Sequence, residues 1–298
     1  MTRVLTIGIA VLDDVYVIPD ALRAGQKHRA HQAMTVLGGS ATNAALAIAR
    51  LGGQVQLVTR IGDDAPGEAL SGLLIREGID LSLSQPCVGA RTSRSSIIIE
   101  PGGERTIINF LDPDLPSQPD WLIADLPAGT DAVCADVRWE AAAIRLFKAA
   151  QSLGKPAILD GDRAPSDPAL LALASHCIFS AQGLREITGM EDLAEALAAF
   201  GKRRSGYYGV TDGANGVLSL ENNGIVHYPA FPITPVDTLG AGDVWHGAFA
   251  LAIARRDSIA AAIRFASAAA ALKCTRRGGG MGAPTAAELA QFLKENPA

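Results

Sequence analysis

Short apolar strands alternate with alanine-rich helical segments along most of this chain. "RVLTIGIAVLD" is typical of a buried first strand that ends at Asp13, and "GGSATNAALAIARLGG" is typical of a helix with glycines at both ends. "QVQLVTRIG" predicts the next strand, "APGEALSGLLIREGI" an amphipathic helix, and the alternation resumes at "DAVCADVRW". Because strands that are joined by helices lie parallel, the pattern predicts an α/β fold with a mostly parallel central sheet flanked by helices.

One region interrupts this alternation. "RTSRSSIIIEPGGERTIINF" predicts two strands around a Pro-Gly-Gly turn, and "QKHRAHQAMTVL" upstream also has an extended pattern. An antiparallel patch inside an α/β chain indicates a small β lid, formed by about 14–36 and 90–110. We expect this lid to belong to one domain that covers 1–298.

Composition limits the kinds of partner that this protein is expected to bind. The net charge of -5 argues against nucleic acid, because there is no basic stripe that would release counterions. Acidic residues interrupt the apolar run at the N-terminus, and no apolar stretch long enough for a membrane lacks breakers. The cysteines are far apart and form no CxxC pair: Cys87, Cys134, Cys177 and Cys274. These features predict a cytoplasmic protein with no membrane partner, in which Cys134 and Cys177 are core residues.

The segment "DTLGAGD", 237–243, combines small residues with an acid at the start of an apolar helix. Glycines at a helix start expose backbone N–H groups to an anion. An acid at such a position is useful if the anion is a phosphoryl group under attack and the acid accepts the proton of the attacking alcohol. Asp243 is then a base, and Gly240, Ala241 and Gly242 hold the developing charge. The alternative is a capped helix whose glycines only make a turn.

The motifs of this chain resemble those of the ribokinase/PfkB family of carbohydrate kinases. "DTLGAGD" and its small-residue helix resemble the C-terminal signature of the family, and "GGSATNAALAIARLGG" resembles its Gly-Gly sugar-binding helix. "VTDGANG" resembles the nucleotide-binding strand and loop, and "ALKCTRRGG" the segment around the adenine and the activating monovalent cation. The resemblance covers nearly the whole chain and implies an ATP-dependent sugar kinase with a ribokinase-like fold, which uses Mg²⁺ and a monovalent cation such as K⁺.

The resemblance also implies roles for individual residues. Asp243 is the catalytic base, and the anion hole consists of Gly240, Ala241 and Gly242. The sugar hydroxyls bind to residues near the N-terminus: Asp13, Gly38, Gly39 and Asn43. The nucleotide is lined by Thr211, Gly213, Gly216, Gly240 and Gly242. Asp237 and Thr238, with carbonyl groups of the "CTRRGG" turn, hold the monovalent cation.

One departure from the family concerns magnesium. Many members carry Asn-x-x-Glu on the strand after the central helices, where it orders water around Mg²⁺. The matching stretch here is "SAQG", 180–183, which has neither residue. Glu186 lies three positions further on and is expected to be a helix surface residue. Magnesium remains an expected cofactor, because the phosphates must be neutralised.

The segments "ADVRW", "LDGD", "FSAQGLREITG" and "RFASAAAALKCTRRGG" resemble the sulfofructose kinases and the ketohexokinase-like branch of the family. The resemblance assigns an anionic sugar tail to Lys27, Asn109 and Arg138. A lysine and an arginine that converge with an amide suit a sulfonate or a phosphate. The alternative is that Lys27 is solvated and that Arg138 pairs with Asp136 or Asp162. A neutral ketose, a phosphorylated ketose and a keto-deoxy acid stay open as substrates.

Two other functions compete with a sugar kinase. A nucleoside kinase of the same superfamily requires a stacked aromatic side chain near the lid, for which Tyr16 and Phe110 are the candidates. A non-catalytic regulator that binds sugar or nucleotide has no use for Asp243 as a base. The apolar alternation of "SIIIE" and "TIIN" also leaves one lid face uncovered, which predicts a homodimer through paired lids.

Overall fold

The computed structural model describes residues 1–202, 205–222 and 224–297. Among these residues, eight strands form the central sheet. In order across the sheet they are β14 (Gly224–Tyr228), β13 (Val217–Glu221), β12 (Tyr207–Thr211), β11 (His176–Ser180), β10 (Ala157–Gly161), β9 (Ala132–Ala135), β1 (Arg3–Ile7) and β4 (Gln54–Val58). The strands from β4 to β12 pair in parallel, whereas β13 and β14 form an antiparallel edge. The predicted α/β class is confirmed.

Helices cover both faces of this sheet. They are α1 (Ser40–Arg50), α2 (Ala65–Arg76), α3 (Glu140–Ser152), α4 (Ala169–Leu173), α5 (Ala181–Thr188), α6 (Leu193–Gly201), α7 (Ala241–Ala254), α8 (Ile259–Cys274) and α9 (Ala286–Glu295). One apolar cluster unites α1, α7 and α8 with the sheet, and a second unites α3, α4 and α6 with its other face. Within the described ranges, no helix has the length and apolar character that crossing a membrane requires.

A smaller sheet stands apart from the central one. Over the described residues it has four strands, in the order β3 (Gln32–Gly38), β2 (Val11–Val17), β7 (Arg94–Ile99) and β8 (Arg105–Phe110). The hairpin predicted around Pro-Gly-Gly joins β7 to β8, and β2 pairs with β3 in the same antiparallel sense, whereas β2 and β7 run parallel. A further short pair consists of β5 (Ile61–Gly62) and β6 (Pro86–Cys87).

The first predicted strand is divided in two, which corrects its boundaries. β1 ends at Ile7, and Asp13 lies inside β2 of the small sheet rather than at the end of the first strand. The break occurs at Gly8, where a Cβ atom would lie 2.1 Å from the Asp136 carboxylate. That carboxylate also accepts a hydrogen bond of 2.9 Å from the amide of Ile9. A buried acid directly after the neighbouring strand β9 therefore turns the chain from the central sheet into the lid.

Helices α1 and α7 approach each other closely at one glycine. A Cβ atom on Gly247 of α7 would lie 2.3 Å from the carbonyl oxygen of Ala44 in α1. Both residues are buried, so the backbones of the two helices are in direct contact. Since Asn43 and Asp243 belong to these helices, their relative position depends on this contact.

We expect Gly247→Ala to destabilise the protein, since the added methyl group must push α1 and α7 apart. Overpacking of this kind typically costs about 1–3 kcal/mol. The matched control is Gly72→Ala in α2, where a Cβ atom would meet only the tip of Arg76 at 3.5 Å. There we expect a gain of roughly 0.5–1 kcal/mol from the higher helix propensity of alanine. Urea unfolding measures both changes, and equal effects of the two substitutions would contradict the close contact.

Candidate active site

Helix α7 begins with a turn that is open toward a ligand. Gly240 precedes the helix with φ of 74°, a left-handed conformation that favours glycine. The helix has no side-chain cap, and no atom lies within 4 Å of where a Cβ of Gly242 would be. First-turn amides of a helix lack intrahelical partners, so those of Gly240 and Gly242 are available to an anion, whereas the amide of Ala241 donates to the Thr238 carbonyl oxygen at 3.2 Å.

Asp243 stands in the first turn of α7, where the side chain of Asn43 fixes its carboxylate. Nδ2 of Asn43 donates a hydrogen bond of 2.7 Å to Oδ2 of Asp243, and Oδ1 of Asn43 accepts one of 3.2 Å from the amide of Gly280. Burial raises the pKa of Asp243, although the bond from Asn43 and the charge of His246 oppose this shift. Asn43 is thus committed to orienting Asp243, in addition to the sugar contact that the resemblance assigns to it.

Asp13 brings a second carboxylate to the same place from the lid. It is only 8% exposed, and burial raises its pKa to about 6, with a hydrogen bond from Ser95 opposing and the charges of Asp14 and Asp243 adding to the shift. A Cβ atom on Gly38 would lie 1.9 Å from Oδ2 of Asp13, so only glycine leaves room for this side chain. The predicted sugar-binding acid and the predicted base therefore belong to one site.

The neighbouring Gly39 connects the lid to α1. Its φ is 96°, and a Cβ atom there would lie 2.4 Å from the carbonyl oxygen of Ile9. The Asp136 carboxylate caps the start of α1 from outside, because its Oδ2 atom accepts a hydrogen bond of 3.1 Å from the amide of Ala41. Burial raises the pKa of Asp136 to about 6 against these hydrogen bonds. Asp136 therefore sets the geometry of the Gly38–Gly39 entry without lying in the predicted set.

A buried acid and a histidine lie behind Asp243, and sequence reasoning missed both. Nε2 of His246 is 3.5 Å from Oδ1 of Asp160 in β10 and 3.1 Å from the carbonyl oxygen of Ile178, while Nδ1 is 2.8 Å from that of Gly242. Burial raises the pKa of Asp160 to about 7, with the charge of His246 opposing this shift. The signals were an acid within the apolar run "AILDG" and a histidine one turn after the base.

The three residues that the resemblance assigns to the anionic tail of the sugar lie in environments that differ from one another. Lys27 is exposed in the loop between β2 and β3. Nδ2 of Asn109 donates to the Arg94 carbonyl oxygen at 3.3 Å and to Oγ of Ser95 at 3.1 Å. Arg138 donates from both terminal nitrogens to the carboxylate of Asp162, at 3.1 and 2.5 Å. The alternative weighed for Arg138, an ion pair with Asp162, is therefore present in the structure.

The segment assigned to nucleotide binding lies at the end of β12. Oγ1 of Thr211 donates to the carbonyl oxygen of Phe179, and a 3-10 helix covers Gly213–Asn215. Gly213 has open space where its side chain would be, whereas a Cβ atom on Gly216 would lie 2.1 Å from the Tyr228 carbonyl oxygen. Thr211 thus ends its strand at the carboxyl edge of the parallel sheet, the edge at which open α/β sheets bind ligands.

The residues assigned to the monovalent cation are already in contact with two basic side chains. Nζ of Lys273 donates to the Asp237 carbonyl oxygen at 2.7 Å and is 3.6 Å from its Oδ2 atom. From the lid, Arg105 donates to Oγ1 of Thr238 at 2.9 Å and lies 3.5 Å from Oδ1 of Asp237. The sequence signal for Lys273 is a lysine inside an apolar helix.

The departure from Asn-x-x-Glu has a structural counterpart. Ser180 caps α5 by accepting a hydrogen bond of 2.9 Å from the amide of Gly183, and Glu186 is exposed on the same helix. Over the described ranges, no group of three or more His, Cys, Asp or Glu side chains is arranged to hold a metal ion.

Comparison with known proteins places this site in a family. The sequence profile of the pfkB family carbohydrate kinases matches residues 1–286. Ribokinase of Bacillus subtilis is 28% identical over 311 aligned positions, which cover 98% of this chain and 100% of the relative. A crystal structure from Agrobacterium tumefaciens, of a protein proposed to be a ribokinase, is 37% identical with a TM-score of 0.95 and covers 99% of this chain and 98% of its own.

A further solved structure supports the fold. The ribokinase of Arabidopsis thaliana, solved with ribose and ATP, superimposes with a TM-score of 0.85 at 24% identity and covers 99% of both chains. The match therefore extends over the central sheet, the lid and the turn before α7 together. With a profile match over nearly the whole length, this chain belongs to the pfkB family and is an ATP-dependent carbohydrate kinase.

Proposed function

We propose that this kinase transfers the γ-phosphoryl group of ATP to a primary hydroxyl of a ketose with an anionic tail, and that 6-sulfofructose is its best candidate substrate. The observation that carries the transfer is the 2.7 Å hydrogen bond from Asn43 to Asp243 at the anion-binding turn. It holds a base next to Asp13, which would bind the sugar hydroxyls.

The reaction is a single displacement at phosphorus. The hydroxyl oxygen of the sugar attacks the γ-phosphorus, and its proton passes to the carboxylate of Asp243. The bond between the γ-phosphorus and the bridging oxygen breaks, and its electron pair leaves with ADP. Amides of the Gly240–Gly242 turn stabilise the negative charge on the transferred group. A carboxylate of raised pKa is a stronger base than an ordinary aspartate and acts at pH values above that pKa.

The nucleotide would lie along the carboxyl edge of the central sheet, with Thr211, Gly213 and Gly216 beside its ribose and phosphates. Mg²⁺, when bound, neutralises phosphate charge. Asp162 is partly exposed and its charge acts on Asp243, so we assign its side chain to water around the ion. Because the reaction consumes ATP, we infer a cytoplasmic location.

The anionic tail is supported by groups on the face of the lid that bears Asp13. Ser95 is the direct neighbour of Asp13 on β7, and Asn109 is the direct neighbour of Ser95 on β8, so these three residues share one face. Arg138 donates two of its five N–H groups to Asp162, and its remaining N–H groups can bind a sulfonate or phosphate. Lys27 is exposed and adds a second cation from the loop before β3.

The alternation of side chains along the lid strands argues against the alternative that this chain is a nucleoside kinase. Tyr16 lies three positions after Asp13 on β2, and Phe110 directly follows Asn109 on β8. Successive side chains of a strand point to opposite faces, so both aromatic rings are on the face that is turned away from Asp13. Phe110 is also 4.5 Å from the guanidinium of Arg91. Neither ring is therefore available to stack on a nucleobase in this site.

We also propose that two lids pair to form a homodimer. Exposed apolar side chains include Tyr16, Ile108 and Phe110, which share the outer face of the lid. Sedimentation velocity should give a dimer for the wild type and a monomer for Ile108→Asp. Ile75→Asp in α2 is the matched control, since both isoleucines are 63% exposed. A wild-type monomer at micromolar concentration would refute the pairing.

We expect Asp243→Asn to lower kcat by roughly 10²–10⁴, because the amide keeps the size of the side chain and cannot accept the proton. The Kd for ATP should stay close to that of the wild type. A coupled assay for ADP release measures kcat, and Glu186→Gln on the exposed face of α5 is the control. Near wild-type turnover by Asp243→Asn would remove it from the role of base.

We expect Arg138→Ala to raise the KM for 6-sulfofructose and 6-phosphofructose by on the order of ten- to a hundredfold, the value of one charge-assisted contact. The KM for fructose should hardly change, because a neutral ketose makes no such contact. Arg185→Ala, which removes the exposed ion pair between α5 and Glu191, is the control. A wild-type preference for neutral sugars, or an equal loss for all three ketoses, would assign Arg138 a structural role through Asp162.

A further inference from the structure

Lys273 is a fully buried lysine at the end of an apolar helix. It lies in the last turn of α8, within the run "AAAALKC", and its side chain is 0% exposed. A buried ammonium group is unfavourable unless oxygen atoms replace its water. Burial lowers the pKa of Lys273, and the charge of Asp237 opposes this shift. A lysine in this position therefore needs a specific role for its charge.

The ammonium group contacts the loop that leads to the anion-binding turn. Its 2.7 Å hydrogen bond to the Asp237 carbonyl oxygen and its 3.6 Å distance to Oδ2 join α8 to this loop. The loop is further anchored by the amides of Val236 and Asp237, which both donate to the Cys274 carbonyl oxygen. The carbonyl oxygen of Thr238 then accepts from Ala241 at the start of α7. Lys273 thus supports the backbone from which the anion hole is built.

The oxygen atoms expected to bind a potassium ion are already engaged. Oδ1 of Asp237 accepts from the amide of Leu239, and Oδ2 accepts from that of Gly278. Arg105 and Lys273 both lie within 4 Å of this one carboxylate. A potassium ion here would be a third positive charge against one negative charge, with its oxygen ligands occupied by N–H donors. The residues present therefore do not fit a separate monovalent cation.

We propose that the Lys273 ammonium group replaces the activating monovalent cation expected at Asp237 and Thr238, so that this kinase works without potassium. An ammonium group and a potassium ion are both singly charged and both bind carbonyl and carboxylate oxygens. A cation that is covalently attached keeps the loop before α7 in place at any salt composition. The proposal rests on the kinase activity of the chain and not on the identity of its sugar.

The first test is the wild-type enzyme in potassium chloride and in tetramethylammonium chloride at equal ionic strength. Tetramethylammonium is too large to enter a potassium site. We expect the same kcat and the same Tm in both salts. A several-fold higher kcat, or a higher Tm, in potassium chloride would overturn the proposal. The Tm comparison needs no substrate, so it stays decisive even if no sugar of the proposed class is phosphorylated.

The second test compares two substitutions of Lys273, one that leaves space for a cation next to Asp237 and one that fills this space. Lys273→Ala leaves a space next to Asp237, so its kcat in tetramethylammonium should fall by on the order of a hundredfold, as expected for a displaced catalytic loop. Potassium should restore this kcat saturably and raise the Tm of the variant by mass action. Lys273→Met fills the space without a charge and should not respond to potassium. A Lys273→Ala variant that is active and insensitive to potassium would contradict the proposal.

The control is Lys155→Ala, which removes a half-exposed lysine that is 3.8 Å from Asp131, far along the chain from α8. It should behave as the wild type in both salts. If Lys273→Ala does not fold, the comparison of wild-type kcat and Tm in the two salts decides the question alone.

Discussion

The hydrogen bond between the Asn43 amide and the Asp243 carboxylate is the interaction on which this active site depends. The two residues are 200 positions apart in the chain, and helices α1 and α7 bring them together. The approach is possible because Gly247 lets α7 rest directly on the backbone of Ala44. The packing of these two helices, which requires that Gly247 has no side chain, thereby fixes the direction of the carboxylate that we propose as the base.

Buried acids surround the hydrogen bond between Asn43 and Asp243, and ion pairs lie on the elements next to it. Asp13, Asp136 and Asp160 are buried acids whose pKa values burial raises, and the charge of Asp243 acts on Asp13 and Asp160. Arg138 balances Asp162, and Lys273 with Arg105 balances Asp237. The amides at the start of α7 that we propose to bind an anion can therefore coexist with an acid, because cations on the flanking elements offset the local negative charge. The lid contributes Asp13 and Arg105 and so takes part in this balance directly.

Features that depend on residues close together in the chain could be predicted from the sequence. Alternating strands and helices predict the parallel sheet, and Pro-Gly-Gly predicts the hairpin between β7 and β8. Glycines before an acid predict the open turn at Gly240. The first strand was extended too far because its break comes from the Asp136 carboxylate, which follows a strand more than a hundred positions later in the chain.

For the same reason the sequence could name a pairing between distant residues as an alternative, as it did for Arg138 and Asp162, but could not decide whether it forms. Lys273 and Asp237 are 36 positions apart, and Arg138 and Asp162 are 24 apart, so neither ion pair forms a local motif. Arg138 alone was equally compatible with a substrate clamp and with an ion pair. The role of His246 also depends on Asp160 and Ile178, which come from neighbouring strands of the sheet. Such contacts appear only after the sheet order is known.

The most direct test of the central claim is the pH dependence of kcat/KM for the sugar, compared between the wild type and Asn43→Ala. This ratio reports ionisations of the free enzyme. The Asn43 hydrogen bond lowers the pKa of Asp243, so its removal should raise that pKa and move the acid limb of the profile to higher pH. An active Asn43→Ala enzyme whose acid limb stays at the wild-type pH would contradict the assignment of Asp243 as a base oriented by Asn43.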